Sequence, residues 1–190
     1  MIQELIDYIS ELFPSITPYT AKGAKDAMKQ FQQYGIKSRF VTQAFDDEPQ
    51  QGDVFSVVPF SEFDEEGNLI TYQIKGMLLT NSCDSIRNEN LHFAAMWPLE
   101  DHADDIAYQQ MIKSNCNFQF LYYPDSKLED SYVDFQLITS VSRKAFTDYL
   151  QSGKTSRLAS LNQVGYFILL SKLTVFFMRP EDADIVASRE

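Results

Sequence analysis

The sequence contains few of the residues that build disulfide scaffolds, zinc sites and flexible linkers. It has two cysteines, two histidines, seven glycines and seven prolines among 190 residues. Two cysteines are too few for a disulfide framework, so we expect Cys83 and Cys116 to be unpaired thiols in a reducing compartment. The spacings of Cys83, His92, His102 and Cys116 match no zinc finger or zinc ribbon, and we therefore predict no metal or other cofactor.

Long apolar runs are absent as well. The longest apolar stretch, residues 164–178, is interrupted by Ser171, Lys172 and Thr174 and falls short of a membrane span. Residues 1–13 carry acids and no basic segment, which is not the pattern of a signal peptide. These absences predict a cytoplasmic protein that does not enter a membrane.

The 16 basic side chains are outnumbered by 27 acidic ones, and the formal net charge is −11. Affinity for nucleic acid comes largely from clustered Lys and Arg that neutralise phosphates. Basic residues collect only at 22–39 and 143–157, so RNA stays open as an alternative partner through a local face. The overall balance predicts a protein partner or self-association instead. Acidic runs occupy 45–48, 62–66, 100–105 and 181–184.

What the chain does have is a large apolar fraction, 44%, and an aromatic fraction of 14%. This is enough to bury the core of one ordinary domain. Residues 160–163 match a capping box that opens a long apolar helix to Met178. Apolar spacing also predicts helices over 2–13, 20–34, 99–111 and 142–150. Strands are predicted within 36–44 and over 53–60, 69–80, 91–97, 118–123 and 132–141.

These elements predict an α+β fold built as one compact domain. Residues 1–45 contribute a helical pair, residues 46–141 the β core, and residues 142–190 C-terminal helices packed on that core. We expect five or six antiparallel strands in a strongly bent sheet. The acidic turn Asp64–Asn68 should close a hairpin, because its Gly and Asn accept positive φ at little cost.

A polar cluster is the best candidate site from the residues alone. It ends the apolar run 77–79 at what would be the rim of the sheet, where loops carry function on a rigid support. The alternative is an ordinary turn, in which Asn, Ser and Asp side chains bond their own backbone. The members of the cluster are Thr80, Asn81, Ser82, Cys83 and Asp84.

A second motif, Gly153-Lys154-Thr155, has the end of a phosphate-binding loop but not its beginning. Residues 148–151 contain no glycine, and no buried strand is predicted to lead into the motif. Without them the chain cannot build a nest of backbone amides around a phosphate. We interpret the tripeptide as a turn between helices.

Residues 51–99 run through a strand, an acidic turn, a second strand that closes on polar residues, a loop and a third strand. This order, with Gly52-Asp53 ahead of the first strand, resembles the MazF/PemK family of ribonuclease toxins over residues 52–98. The resemblance implies a small SH3-like antiparallel β-barrel, flanked here by N-terminal and C-terminal helices. It also implies a metal-independent endoribonuclease.

The functional positions of that family are changed in this chain. Where the toxins carry Arg-Pro before the apolar strand, this chain has Lys75-Gly76, and lysine lacks the bidentate fork of arginine. Where their catalytic Ser or Thr follows the third strand, the segment Ala94–Pro98 contains no hydroxyl. An endoribonuclease would then need a cation at Lys75, a hydroxyl in the polar cluster, and an acid and a base from Asp84 and His92. That hypothesis places catalysis on Lys75, Thr80, Ser82 and Asp84, and binding on Asn81 and Cys83.

The sequence thus supports two hypotheses of different classes. The first is a non-catalytic interaction or regulatory module on a toxin-like barrel, belonging to a bacterial toxin–antitoxin or defence system. The second is the endoribonuclease. The electrostatics around Lys75 and Asn81 discriminate between them, because RNA requires a basic groove whereas a protein partner tolerates a neutral or acidic one.

Overall fold

The computed structural model describes residues 40–43 and 46–178. The helices predicted over 2–13 and 20–34 lie outside these described residues. Within them the fold is α+β, as predicted, with one antiparallel sheet of seven strands and four α-helices. The sheet is open, and its two edges are the short first and fifth strands.

The elements follow one another with short connections. The strands are β1 (Val41–Thr42), β2 (Val54–Phe63), β3 (Leu69–Leu78), β4 (Asn90–Pro98), β5 (Phe120–Tyr122), β6 (Ser131–Ser142) and β7 (Arg157–Leu161). The helices are α1 (Ser82–Ser85), α2 (Ile106–Lys113), α3 (Arg143–Gln151) and α4 (Gln163–Met178), with 3₁₀ turns at Leu99–His102 and Ser126–Leu128. The strand order across the sheet is β1-β7-β2-β3-β4-β6-β5.

The predicted β2–β3 hairpin is confirmed. Phe63 pairs with Leu69, and the Asp64 carboxylate caps the turn by accepting hydrogen bonds from the Glu66 and Asn68 N–H groups. Gly67 has a φ of +82°, the left-handed conformation that glycine adopts without strain. The hydrogen bonds from Asn68 hold the pKa of Asp64 below its usual value.

Three local expectations differ from the structure. The predicted helix 99–111 is split into a 3₁₀ turn and α2. A seventh strand, β7, lies inside the segment that was expected to be helical throughout. Ser160 therefore belongs to β7, and the amide of Asn162 caps α4 in its place, accepting from the Gly165 N–H at 3.0 Å. β7 has only five residues, and its partners β1 and β2 lie far away in the sequence. Its local sequence therefore does not distinguish a strand from the start of a helix.

Both faces of the sheet are covered by helices. On one face, Ile168 and Leu169 of α4 join a buried cluster with Met77 and Met96. On the other, Phe146 of α3 contacts Phe55 and Phe93, with ring centroids 4.8 Å apart in both pairs. The sheet is thus the middle layer, and α2 with the 3₁₀ turn Leu99–His102 covers the outer end around β5.

The sheet bends at one level, where two register irregularities lie on either side of a glycine. β2 bulges between Phe55 and Val58, and the β4–β6 register shifts between Ala94 and Ala95. Between them, Gly76 of β3 faces Phe55 and Ala95. Bulges bend the strands that carry them. As a result β3 pairs with β4 only over 76–78, and beyond that level the two strands separate.

Candidate functional site

The separation of β3 from β4 opens a cleft with a volume of about 730 Å³. Its floor is apolar and its rim is polar. The floor is formed by Ile74, Met96, Pro98, Leu99 and Ala103. The rim is formed by Lys75, Glu100, Gln109, Glu129 and Asp130, and the buried Ser131 completes the polar lining. This is the strongest candidate for a ligand site in the described part of the chain, because concave apolar pockets with a few polar groups are where ligands bind.

Lys75 lies in this cleft, and its ammonium group is already paired. The Nζ atom is 2.5 Å from Glu129 Oε2 and donates to Ser131 Oγ at 3.2 Å. Lys75 is 21% exposed, whereas Glu129 is 72% exposed. The hydrogen bond from the neighbouring ammonium lowers the pKa of Glu129. Ser131 is buried, and its hydroxyl is not accessible to a substrate.

Glu129 and Asp130 are held in an unusual backbone conformation. Their φ angles are +52° and +49°, two successive left-handed residues of which neither is glycine. Such residues cost on the order of 1 kcal/mol or more each and persist only where their surroundings fix them. Here the Leu99 N–H donates to the Asp130 carbonyl at 2.9 Å, and Tyr122 Oη donates to its carboxylate at 2.6 Å. The loop is therefore built to present two carboxylates at the rim.

The charge of the rim is acidic. The three acids Glu100, Glu129 and Asp130 outnumber the two bases that pair with them, Lys75 on Glu129 and Lys113 on Asp130. Lys113 Nζ lies 3.4 Å from the Asp130 carboxylate. Glu100 is exposed and makes no ion pair with any residue that the structure describes. A phosphate entering this cleft would have to displace Glu129 from Lys75 and approach the remaining carboxylates, which is electrostatically unfavourable.

An aromatic cluster borders the cleft on the side of the 3₁₀ turn. His102 Nε2 lies 2.9 Å from Tyr132 Oη, and the His102 ring stacks edge-on against Tyr108 with centroids 4.6 Å apart. Burial raises the pKa of Tyr132, with smaller contributions from Tyr108 and Asp134. Nearer the gap, the Tyr72 and Trp97 rings meet at 5.2 Å. These rings are neighbours of the cleft and are not among the residues that line it.

The polar cluster at residues 80–84 lies elsewhere. Thr80 Oγ1 accepts the His92 N–H at 2.8 Å and lies 3.5 Å from His92 Nδ1. Asn81 caps α1 through its side chain, which accepts the Cys83 N–H. Ser82 Oγ accepts the Gln51 N–H at 3.0 Å. Each of these three bonds satisfies a backbone N–H, but only that of Asn81 is local to the turn, whereas those of Thr80 and Ser82 tie the cluster to β4 and to the segment before β2.

Lys75 and the polar cluster are not brought together. Thr80 follows Lys75 by five positions of extended chain, so their Cα atoms are about 16 Å apart. Their side chains also point to opposite faces of the sheet, because side chains alternate along a strand. Lys75 is on the same face as Met77, which α4 covers, whereas Thr80 is on the same face as Leu78, which α3 covers. The structure does bring Thr80 to His92, but without Lys75 beside them.

The structure also locates the two cysteines and the Gly153-Lys154-Thr155 motif. Cys83 and Cys116 are both free, as predicted, and both are exposed. Gly153 has a φ of +73° in the turn after α3, and Lys154 donates its N–H to Tyr149. Among the described residues no three His, Cys, Asp or Glu side chains are grouped as a metal would require. Of the helices that the structure describes, none has the length and apolarity to cross a membrane.

The acids of the cleft were missed in the sequence. The only local signal was the acidic run 100–105, which contains Glu100. Glu129 and Asp130 stand in the Leu-Glu-Asp-Ser stretch before β6, where nothing distinguishes them from a solvated loop. Their role arises from the β4–β6 pairing, which sets Ser131 opposite Pro98 and so brings the loop to the cleft.

Comparison with known proteins adds no further constraint, since no family model, curated protein or solved structure matches this chain. Fold and cleft together define the class: an α+β protein with a bent antiparallel sheet and an acidic cleft between two of its strands.

Proposed function

We propose that this protein is a non-catalytic interaction module that binds a partner protein in the cleft between β3 and β4. One observation carries the proposal: Lys75, the cation that a nuclease would need, is neutralised by Glu129 at 2.5 Å inside an acidic rim. An acidic cleft with an apolar floor suits a protein segment. It does not suit a polyanion.

The proposal includes the finer architecture. We infer an open, strongly bent SH3-like barrel, because β2 packs on β6 across the bend. Phe55 of β2 and Leu137 of β6 share one buried cluster, which supports the curvature. On this barrel the module would serve a regulatory or toxin–antitoxin system of the MazF/PemK type. Two exposed free thiols support a reducing compartment, the cytoplasm.

The endoribonuclease ranks second. Lys75 does face a cleft, and Thr80 and His92 are in contact, but these two features lie about 16 Å apart along β3. A metal-free cleavage needs its cation, base and acid at a single phosphate. No such grouping exists among the described residues, so the interaction module is the better supported function.

The test combines an RNA assay with a binding assay on the full chain. We expect neither the wild type nor Lys75→Ala to cleave long RNA. We also expect tagged wild type to retain specific proteins from its source lysate after nuclease treatment. Glu100→Lys should release those proteins, because it reverses a charge on the rim of the cleft.

The matched control is Glu89→Lys, which reverses an exposed acid just before β4 and outside the cleft. It should retain the same proteins as the wild type. RNA turnover that disappears with Lys75→Ala would reverse the ranking of the two functions. Proteins retained equally by Glu100→Lys would place the interface outside the cleft.

A further inference from the structure

The cleft has an open strand edge along one side. β3 pairs with β2 along most of its length, but its ladder with β4 covers only Gly76, Met77 and Leu78. The segment of β4 that would continue the ladder, Met96–Pro98, pairs with β6 alone. Over 69–75, therefore, one edge of β3 has no strand beside it in the described part of the chain.

The backbone groups on that edge can be assigned from the β2–β3 register. The Asp64 N–H donates to the Asn68 carbonyl at 3.0 Å, which makes this a hydrogen-bonded pair. Hydrogen-bonded and non-hydrogen-bonded pairs alternate along an antiparallel ladder. Counting from Asp64–Asn68, Ile74 and Tyr72 bond to β2, and the backbone groups of Gln73 point the other way, toward the cleft.

Pro59 gives an independent check that the backbone groups of Gln73 point away from β2. Pro59 of β2 faces Gln73 in the register, and proline has no N–H to donate. A hydrogen-bonded pair would require that donor, so Pro59–Gln73 is a non-hydrogen-bonded pair. The N–H and carbonyl of Gln73 are thus available on the open edge, and alternation places those of Thr71 beside them.

The surroundings specify what such an edge would accept. Exposed strand edges pair with other chains unless they are blocked, and this one is neither short nor covered by any helix that the structure describes. Its inner end lies at the acidic rim with Glu100, Glu129 and Asp130. Its outer end carries Leu69 and Ile70, which are 60% and 36% exposed. Charge complementarity selects a basic segment for the inner end, and alternating apolar side chains would cover the rest.

We propose that β3 adds an extended, basic segment of a partner protein as a new strand along 69–75, with its basic side chains against Glu100, Glu129 and Asp130. This rests on the proposed function and specifies its ligand and its mode of binding. Main-chain hydrogen bonds would supply the register, and the acidic rim would select the charge. Pairing of this kind depends on the backbone of Gln73 and Thr71, whereas attraction by charge alone does not.

The test uses a defined probe, a fluorescein-labelled octapeptide of four Lys-Val repeats, titrated against the full chain by fluorescence anisotropy. We expect saturable binding, with amide shifts centred on Thr71, Gln73 and Lys75 in ¹⁵N-labelled protein. Four Glu-Val repeats should not bind. The Lys-Val peptide methylated on every backbone nitrogen should bind at least tenfold more weakly, because it has no N–H to donate.

Two variants separate backbone pairing from charge. Gln73→Pro removes an N–H that β2 does not use, and it should weaken the Lys-Val peptide at least tenfold while thermal unfolding shows a folded protein. If that variant does not fold, the N-methylated peptide makes the same test on the wild type. Glu100→Lys should weaken binding about tenfold. Glu89→Lys is the matched control and should leave the affinity unchanged.

Failure of this inference is distinguishable from failure of the proposed function. Equal binding of the Lys-Val peptide and its N-methylated form would overturn strand addition and leave the cleft as an interface of another kind. Absence of any binding by the Lys-Val peptide would overturn the basic strand as ligand, while the pull-down comparison of Glu100→Lys with Glu89→Lys would still decide the interface.

Discussion

At the scale of single residues, the costliest charge burial outside the cleft is that of the ion pair between Arg157 and Asp53. Arg157 Nη1 lies 3.3 Å from Asp53 Oδ2, and the two side chains are 10% and 0% exposed. Arg157 also donates to the carbonyls of Asp46 and Asp47, so it ties β7 to the segment before β2. Burial raises the pKa of Asp53, while bonds from the Gln50 N–H and Ser160 and the charge of Arg157 oppose the rise.

Arg157→Met should therefore leave a buried carboxylate without its counter-charge. We expect a loss of about 3 kcal/mol in the free energy of unfolding at pH 7, the typical cost of breaking a buried pair. Native Asp53 would then bind its proton more tightly than the unfolded chain does. Acidification from pH 7 to pH 5 favours the state that binds more protons, so part of the loss should be recovered.

Urea denaturation of wild type and Arg157→Met at both pH values measures the effect. The matched control is Lys144→Met, which removes the cation of the exposed pair Lys144–Asp148 and should leave the unfolding free energy unchanged. A loss that stays constant between pH 7 and pH 5 would show that Asp53 is not the group left unpaired.

A second cation, Lys172, is partly buried and bonds only to backbone carbonyls in the contacts that the structure gives it. Lys172 of α4 donates from Nζ to the carbonyls of Asn115 and Asn117, at 2.7 and 2.6 Å. Burial lowers the pKa of this lysine to about 8. The lysine that interrupts the apolar run of α4 thus fixes the loop before β5, a role that the sequence does not indicate.

At the scale of elements, α4 has two neighbouring phenylalanines in contrasting environments. Phe176 packs on Phe135 and Phe118, with ring centroids at 5.7 and 6.3 Å. Phe177 is 65% exposed. The apolar character of α4 on nearly all sides was visible in the sequence, but the sequence could not tell which rings reach the core.

Substituting each of these rings by alanine gives a matched pair of variants. We expect Phe176→Ala to lower the unfolding free energy by about 2 kcal/mol, less than for a fully buried ring because the site is half-buried. Phe177→Ala should change it by no more than about 0.5 kcal/mol. Thermal and urea unfolding of the two proteins measure the difference. Equal losses would mean that both rings are buried in solution, as they would be in a self-associated form.

At the scale of the whole molecule, the bend of the sheet creates the cleft. A Cβ atom built on Gly76 would lie 2.8 Å from Val58 Cγ2 and 2.9 Å from Val58 Cβ. Real Cβ contacts are not that close, so β2 and β3 approach each other at this level only because residue 76 is glycine. The same level is where β3 leaves β4.

Gly76→Ala should therefore strain the bend and lower the unfolding free energy by about 1–3 kcal/mol, as overpacking does. Combining it with Val58→Ala should cost less than the sum of the single changes, because the crowding Cγ2 methyl group of Val58 is removed. A double-mutant cycle by urea denaturation tests this coupling. Strict additivity of the two losses would show that the close approach of β2 and β3 is not what requires glycine.

The sequence by itself determined the fold class, the β2–β3 hairpin, most strand positions and the free thiols, because these depend on local periodicity, turn chemistry and cysteine count. Only the tertiary structure decided the strand order, the membership of β7 in the sheet and the cleft. Lys75 was visible in the sequence as a cation, but its neutralisation by Glu129 joins residues 54 positions apart. Contacts of that kind arise from strand pairing and bending, which no local pattern encodes.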